Sequence, residues 1–521
     1  MEEGLLKASM PGFWGGENSD WPQHELLPYQ CRRIVNAVID SSGTLTGRGG
    51  VKKLTATPLA SGQPILSGYR YYNPSTGEAK TLVQAGRLIY VLADDGTSSQ
   101  LSIGPSAYRT GGGMASGRRA KWQTCFATSK CIFSNGALYQ YDGTTAEKVT
   151  ATNAPTQIMR GVENKDKFWC WSKDQPNHVY RSPQQTVTDA WDSLEYSPVR
   201  PVDGDSVVDL TVLADWVLVL KERSLWRFDG STRYDLTRTL LCDRMGMVGD
   251  TLAMYKGAAS WLSPEGVVHY DGSSNSLPSN ISANKINNAI FLYPNSILRQ
   301  AVGHFYAKRQ LYLLSLPFMS PPTVFVFHMG IPNSEGNVFG PVTRWEFPFA
   351  VTAMWSAEGV DDKDQLYLGS ADGNAYLGDY GWQDDGAAIS GNFETSYSTL
   401  LDNDDAALPD RIKNVRHLLF DPQIHGTLNL ELLGDYGSCV WPADGLGFTT
   451  PDYSDPNVLV WGAGEWGNKN WAGPLAPMRN VRVSKFNASR VALRASWSTK
   501  NQVTISPPTV RYFARDARRQ P

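Results

Sequence analysis

Hydrophobic positions in this chain come in short runs closed by polar turns, and from about residue 52 to 385 the runs recur. A strand-like run enters an aromatic-Asp-Gly turn at Leu138 to Gly143, at Leu225 to Gly230 and at Val267 to Gly272. The aspartates Asp142, Asp229 and Asp271 lie 87 and 42 positions apart, so a unit of about 42 to 44 residues fits, with one further copy in the first gap. That copy ends near Arg181, after His178, Val179 and Tyr180. Weaker copies run through Leu88 to Leu92 ahead of Asp94, Asp95 and Gly96, through Val324 to Phe327 and through Leu366 to Gly373, for a count of about seven. Each has an earlier apolar run, such as Trp216 to Leu220 or Ala259 to Leu262. Strand, tight turn, strand and Asp-Gly turn at a period of roughly 40–45 residues is the pattern of a four-stranded propeller blade. The expectation is an all-β chain in which residues 52–385 form a β-propeller of about six to eight blades.

Near Gly381 the period is lost. The stretch from Gly386 to Asp410 is polar and acidic, and new strands then begin at Val415 to Phe420, Thr427 to Leu433, Val458 to Trp461, Val481 to Val483, Val491 to Trp497, Gln502 to Ile505 and Val510 to Phe513. Strict alternation from Thr427 to Leu432 marks a strand with one wet face. Residues 386–521 therefore read as a C-terminal β-sandwich serving as a docking or platform domain, and residues 1–51 as an N-terminal arm or platform segment. No stretch predicts a helix longer than about two turns.

Composition supports the strands: 48 Gly, 31 Pro, 17 Trp and 23 Tyr beside 19% charged residues suit many short strands joined by tight turns. A net charge of −3 lacks the basic excess that grips phosphate backbones, which disfavours ordinary DNA binding. No run approaches the roughly 20 apolar residues of a membrane span. Met1 to Gly16 carries Glu2 and Glu3 and no signal-like stretch, so residence in the cytoplasm of synthesis is expected, without a membrane partner. Cys31, Cys125, Cys131, Cys170, Cys242 and Cys439 form no CxxC pair and read as buried reduced thiols.

The Asp-Gly pairs need no catalytic role, because Asp caps local N–H groups and Gly accepts positive φ. The aspartate boxes of sialidases have a Ser/Thr-x-Asp-x-Gly-x-x-Trp/Phe order that these copies lack. Gly462 to Gly467 matches GxGxxG, yet Asn468 to Pro474 behind it cannot be the helix that holds a pyrophosphate, leaving a Trp-rich loop and no cofactor. The seven histidines show no HxH or HExxH spacing, and no GxSxG or Walker A sequence occurs, so no metal ligand and no catalytic residue is nominated. The acidic runs Asp361-Asp362-Lys363-Asp364 and Asp402-Asn403-Asp404-Asp405 lack calcium-loop spacing and read as solvated loops. Basic clusters occur at Arg32-Arg33, at Arg118-Arg119 with Lys121, and at Arg511, Arg515, Arg518 and Arg519. This last cluster either docks on an acidic partner or frays.

The N-terminal order Gly15-Gly16, then Gln30, then Val35-Asn36-Ala37, then Gly43-x-Leu45-x-x-Arg48-Gly49-Gly50 resembles the opening of the tail nozzle (tail tubular) and hub (packaged-DNA stabilization) proteins of short-tailed bacteriophages. Gly49 stands where that family usually has Pro. Leu262 to Gly272 with Ile281-Ser282 and Lys285-Ile286, and Leu366 to Tyr376, are similar to later stretches of the same family. The resemblance implies a structural virion protein, not an enzyme. It implies a homo-oligomeric ring of six copies in the virion tail, assembled in the host cytoplasm below the portal and the head-to-tail adaptor protein. The propeller would lie outside and a central channel would retain genomic double-stranded DNA and pass it at ejection without specific contacts. Tail fibre, spike or needle proteins are the further partners implied. A closed ring needs two complementary surfaces per subunit. Arg32, Arg33, Arg48, Trp461, Trp466, Trp471, Arg511, Arg515, Arg518 and Arg519 are the interface candidates. One rival is a carbohydrate-binding or carbohydrate-cleaving propeller, a tail-associated depolymerase or lectin, working through aromatic platforms and paired carboxylates. The other is a monomeric cellular scaffold that binds peptides.

Overall fold

The repeats fold as seven consecutive blades of mainly antiparallel strands in the computed structural model, which describes residues 6–515 apart from 11, 105–113, 116, 126–127, 201–202, 274–275, 332–339, 359–363, 401–410, 421, 425–426, 438, 450–457, 460–469 and 472–478. The first strands of these sheets, blades 1 to 7, are Ile65–Tyr72, Lys121–Cys125, Ile158–Asn164, Val207–Leu213, Ala253–Tyr255, Val302–Tyr306 and Val351–Glu358. The strand that enters each strong Asp-Gly turn is the third of its blade: Leu138–Tyr141, Leu225–Asp229 and Gly266–Tyr270. The unmarked copy is Gln175–Arg181, third in blade 3. Leu366 to Gly373 differs, because Asp364–Ser370 is the second strand of blade 7. An Asp-Gly turn suits any tight hairpin, so the motif marks a turn and not a fixed place in the blade.

A separate apolar wedge fills the gap between every two adjacent blades. Tyr71 packs with Phe133 between blades 1 and 2, Cys125 with Phe168 between 2 and 3, and Val179 with Phe228 between 3 and 4. Leu220 and Trp261, Leu262 and Phe325, and Leu313 and Leu368 belong to the next three wedges. Val83 and Trp355 lie in the seventh, which joins blade 7 back to blade 1 and closes a seven-bladed β-propeller. A middle strand meets a neighbouring blade on both faces, so Trp216–Lys221 and Leu311–Leu316 are buried at every position and are apolar apart from Lys221 and Ser315. Blade 7 takes its outer strand, Val51–Lys53, from before blade 1, with Lys52 opposite Leu377.

Beyond Gly378 the chain builds a further four-stranded sheet and a second group of strands continuous with the outer edges of blades 6 and 7, and the N-terminal segment threads both. One has the order Leu6–Ser9, Thr509–Arg515, Ile412–Phe420, Arg479–Ala488. The other runs Gln30–Val35, Ala387–Thr395, Val491–Thr499, Thr427–Gly434, Cys439–Thr449. A smaller sheet pairs Leu45–Gly47 with Val503–Ile505. Phe13, Ile34, Phe393, Val415, Leu428 and Phe486 share one core, so the segment read as an arm contributes strands and core residues to this sandwich-like unit. In Thr427–Gly434 the alternating Leu428, Leu430 and Leu432 are fully buried. Helix is confined, among the described residues, to short turns such as Asn287–Ile290 and Asn295–Leu298. Cys31, Cys125, Cys131 and Cys170 are buried free thiols, and burial pushes Cys125 up to about 12.

Candidate functional site: the propeller axis and the joint on its rim

Strand direction sorts the loops. Hairpins between second and third strands and the links to the next blade lie on one face of the ring; the Asp-Gly turns after the third strands lie on the opposite face. On that opposite face Asp142 Oδ1 accepts the backbone N–H groups of Thr144 at 2.8 Å and Thr145 at 2.7 Å, and Asp271 Oδ1 accepts that of Ser273 at 2.9 Å. These aspartates are turn caps.

On the first face a cavity of about 900 Å³ opens on the axis, lined from blades 2 to 6. Its floor is set by successive inner strands that each place a charge near their start: Lys121, Arg160 and Asp209, with Asp250 just before the inner strand of blade 5. Lys121 pairs with Asp250 and lies 3.9 Å from Asp209, while Arg160 pairs with Asp209 and lies 4.0 Å from Asp250. Arg119 is 4.0 Å from Asp250 and donates to the carbonyls of Leu66 in blade 1, at 2.5 Å, and Thr352 in blade 7. Burial lowers the Arg119 guanidinium to about 10. Burial, then the nearby Arg160, pull the Lys121 ammonium well below the ordinary lysine value, with Asp209 opposing. The rim carries the exposed Lys173, Arg223 and Arg244, for whose side-chain nitrogens no hydrogen bond or ion pair occurs among the described residues. Met159, Trp171, Val207 and Met247 form an apolar wall. Sequence reasoning saw the Arg118, Arg119 and Lys121 cluster but missed its partners. The signal for them was a charge recurring at blade period, since 121, 160, 209 and 250 are 39, 49 and 41 apart.

The second feature is the joint between the propeller and the sandwich-like unit, at the outer edge of blades 6 and 7. Arg48 is 1% exposed and clasps Asp384, with Oδ1 at 2.9 Å and Oδ2 at 2.5 Å. It also donates to Asn36 Oδ1 at 2.9 Å and to the carbonyls of Gly49 and Glu346, both at 3.0 Å, and lies 4.5 Å over the Phe347 ring. Asn36 Oδ1 accepts Glu346 N–H at 2.8 Å, and its amide donates to the Ser390 carbonyl at 2.7 Å. Glu17, fully buried, takes a bidentate pair from Arg344 and accepts Ile34 N–H at 3.1 Å. Arg309 holds Asp379 at 2.6 and 2.8 Å. Gly16 sits at φ +65° with its Cα against the Val342 backbone, and a Cβ on Gly49 would collide with Asp379.

Of the interface candidates, Arg48 is corrected: its guanidinium is spent inside the chain and is closed to a second subunit. Arg33 is exposed and pairs with Glu346 at 2.8 Å, while Arg32 donates to the carbonyls of Ser19 and Trp21, each at 3.1 Å. Arg511 is half-buried in Thr509–Arg515, which also contains Arg515. Trp471 lies in the two-residue strand Asn470–Trp471. Trp461, Trp466, Arg518 and Arg519 lie outside the described residues, as do Gly462 to Gly467 and the acidic run at 402–405. Among the described residues no group of three His, Cys, Asp or Glu is placed to hold a metal, and no helix is long and apolar enough to cross a membrane.

No family model and no curated protein matches this chain. Solved structures overlap it weakly. They include BBS1N in complex with ARL6DN (12% identity, TM-score 0.41, 63% of this chain and 96% of that one) and the Neurospora crassa Pan2 WD40 domain (10%, 0.40, 65% and 96%). Virginiamycin B lyase from Staphylococcus aureus overlaps at 10% identity and TM-score 0.41, over 63% of this chain and 97% of that one. Overlaps of this size carry nothing for function, and the propeller rests on the seven blades and seven wedges of the chain itself.

Proposed function

We propose that this chain is a non-enzymatic structural subunit of a short-tailed bacteriophage tail, one copy of a six-membered ring that extends the channel below the portal and adaptor. The observation that carries the reading is the joint. Gly15, Gly16, Gln30, Asn36, Arg48 and Gly50, through which the N-terminal segment resembles the nozzle and hub proteins, all lie at or beside the seam between the two units. A ring subunit meets its two neighbours through different surfaces, and the ring closes only if those surfaces keep a fixed angle. Buried ion pairs at the joint are suited to holding such an angle.

Because Arg119 and the floor pairs shut the propeller's own axis, a channel for DNA would lie between subunits and not through a propeller. A glycoside-cleaving propeller needs two carboxylates free to act as acid and as base or nucleophile. Asp209 and Asp250, the pair on the cavity floor, are instead each neutralised by cations. The test is light scattering of the purified chain, alone and with the adjacent tail proteins. A six-copy mass supports the proposal, while a chain that stays monomeric in every mixture and clears a host polysaccharide overturns it.

A further inference from the structure

The axial cavity has a charge that its surroundings do not balance. Eight cationic and five acidic side chains line it, an excess of three positive charges in a chain whose net charge is −3. On the floor three cations, Arg119, Lys121 and Arg160, face two carboxylates. Removing cations from water without counter-charge is costly, so uncompensated positive charge at a cavity floor favours an incoming anion. Lys173, Arg223 and Arg244 come from three different loops, on blade 3, blade 4 and the link to blade 5, and add three unpartnered cations at the mouth. The wall residue Trp171 is 9% exposed, and its buried indole N–H finds no acceptor among the described residues. The volume falls within the roughly 300–1,000 Å³ of small-molecule sites.

We infer that this cavity binds a small, multiply charged oxyanion of the phosphate class carried on a partly apolar body. Arginine forks take phosphate oxygens in pairs, and the apolar wall formed by Trp171, Met159, Val207 and Met247 would take the body. Charge density decides for phosphate over a single carboxylate, since an excess of three positive charges calls for more than one negative charge. The inference does not rest on the assembly reading above.

The experiment is calorimetric titration of the full chain with ADP, inorganic pyrophosphate, a trigalacturonate and a deca-glutamate peptide, with Trp fluorescence read in parallel. ADP or pyrophosphate is expected to bind with a dissociation constant below ~1 mM at roughly 0.15 M salt, and more weakly as salt rises. The Arg223→Ser/Arg244→Ser double variant changes exposed residues only, so its melting temperature should match the parent while affinity falls about tenfold or more. Trp171→Phe keeps the wall, removes the N–H, and should weaken ADP binding with loss of the fluorescence change. Absence of ADP and pyrophosphate binding, equal binding by the double variant, or tighter binding of trigalacturonate or the peptide would overturn the inference.

Discussion

Changing Arg48 to Met leaves Asp384, 8% exposed, as an unpaired carboxylate, strips one donor from Asn36 Oδ1 and removes the donors to the Gly49 and Glu346 carbonyls. Removing one partner of a buried pair costs about 3–5 kcal/mol, because the stranded charge keeps its desolvation penalty. With an unfolding entropy of roughly 2.1 cal/mol/K per residue, a chain of this length unfolding as one unit would lose about 3–5 °C in Tm. The double change Arg48→Met/Asp384→Leu removes the stranded charge as well and should recover about half of the loss or more, since apolar replacements of buried pairs are often near neutral. Guanidinium chloride unfolding followed by Trp fluorescence measures both variants, and amide exchange over residues 30–50 and 379–395 reports whether the joint opens first. A single variant costing less than ~1 kcal/mol, or a double variant no better than the single, would refute the view that this pair holds the joint.

Stability should fall in mild acid. Burial holds His328 at about 3 and His304 at about 4, below the ordinary 6.5. The unfolded chain takes up these protons near pH 6.5 and the native chain does not, so their contribution is complete above that pH and is lost as pH falls toward 4, at up to about 1.4 kcal/mol per pH unit for each. His178 and His269 are lowered by burial as well, so His328→Gln should reduce the slope in unfolding midpoints between pH 6 and 5 by less than half, and an unchanged slope contradicts the assignment. Asp142→Ala should cost about 0.5–2 kcal/mol as a lost cap, measured by denaturation, with no further functional loss in particle assembly. Gly16→Val places a β-branched residue at φ +65° against the Val342 backbone and should abolish soluble expression, whereas Gly204→Ala, at φ +66° with open space around it, should cost only about 1–2 kcal/mol.

The propeller was legible because its middle strands are apolar on both faces and its third strands end in a turn that needs Asp and Gly, as at Leu225 to Gly230. The displaced copy at Leu366 to Gly373 shows the limit of that signal, since the turn residues do not say which hairpin of a blade they close. The N-terminal strands were opaque for another reason. Leu6–Ser9 and Gln30–Val35 pair with strands just over 500 and about 360 residues away, Thr509–Arg515 and Ala387–Thr395, and no local pattern encodes such a partner. Cys439–Thr449 hid behind Pro442, Gly445 and Gly447, which read as breakers but sit within an eleven-residue strand. Arg48 looked like a surface charge because arginine is rarely buried unless paired, and its partner Asp384 lies 336 positions on. The axial floor stayed hidden because each of its ion pairs joins different blades, although the recurrence of a charge at blade period was visible in the chain.

The ring is the central claim, and electron microscopy of the intact particle tests it most directly. The account predicts this chain in a closed six-fold ring at the tail, with DNA density, where present, running between subunits and past propellers whose own axes are filled. A particle whose tail lacks the chain, or in which it hangs as a single copy bound to a host sugar, would contradict it.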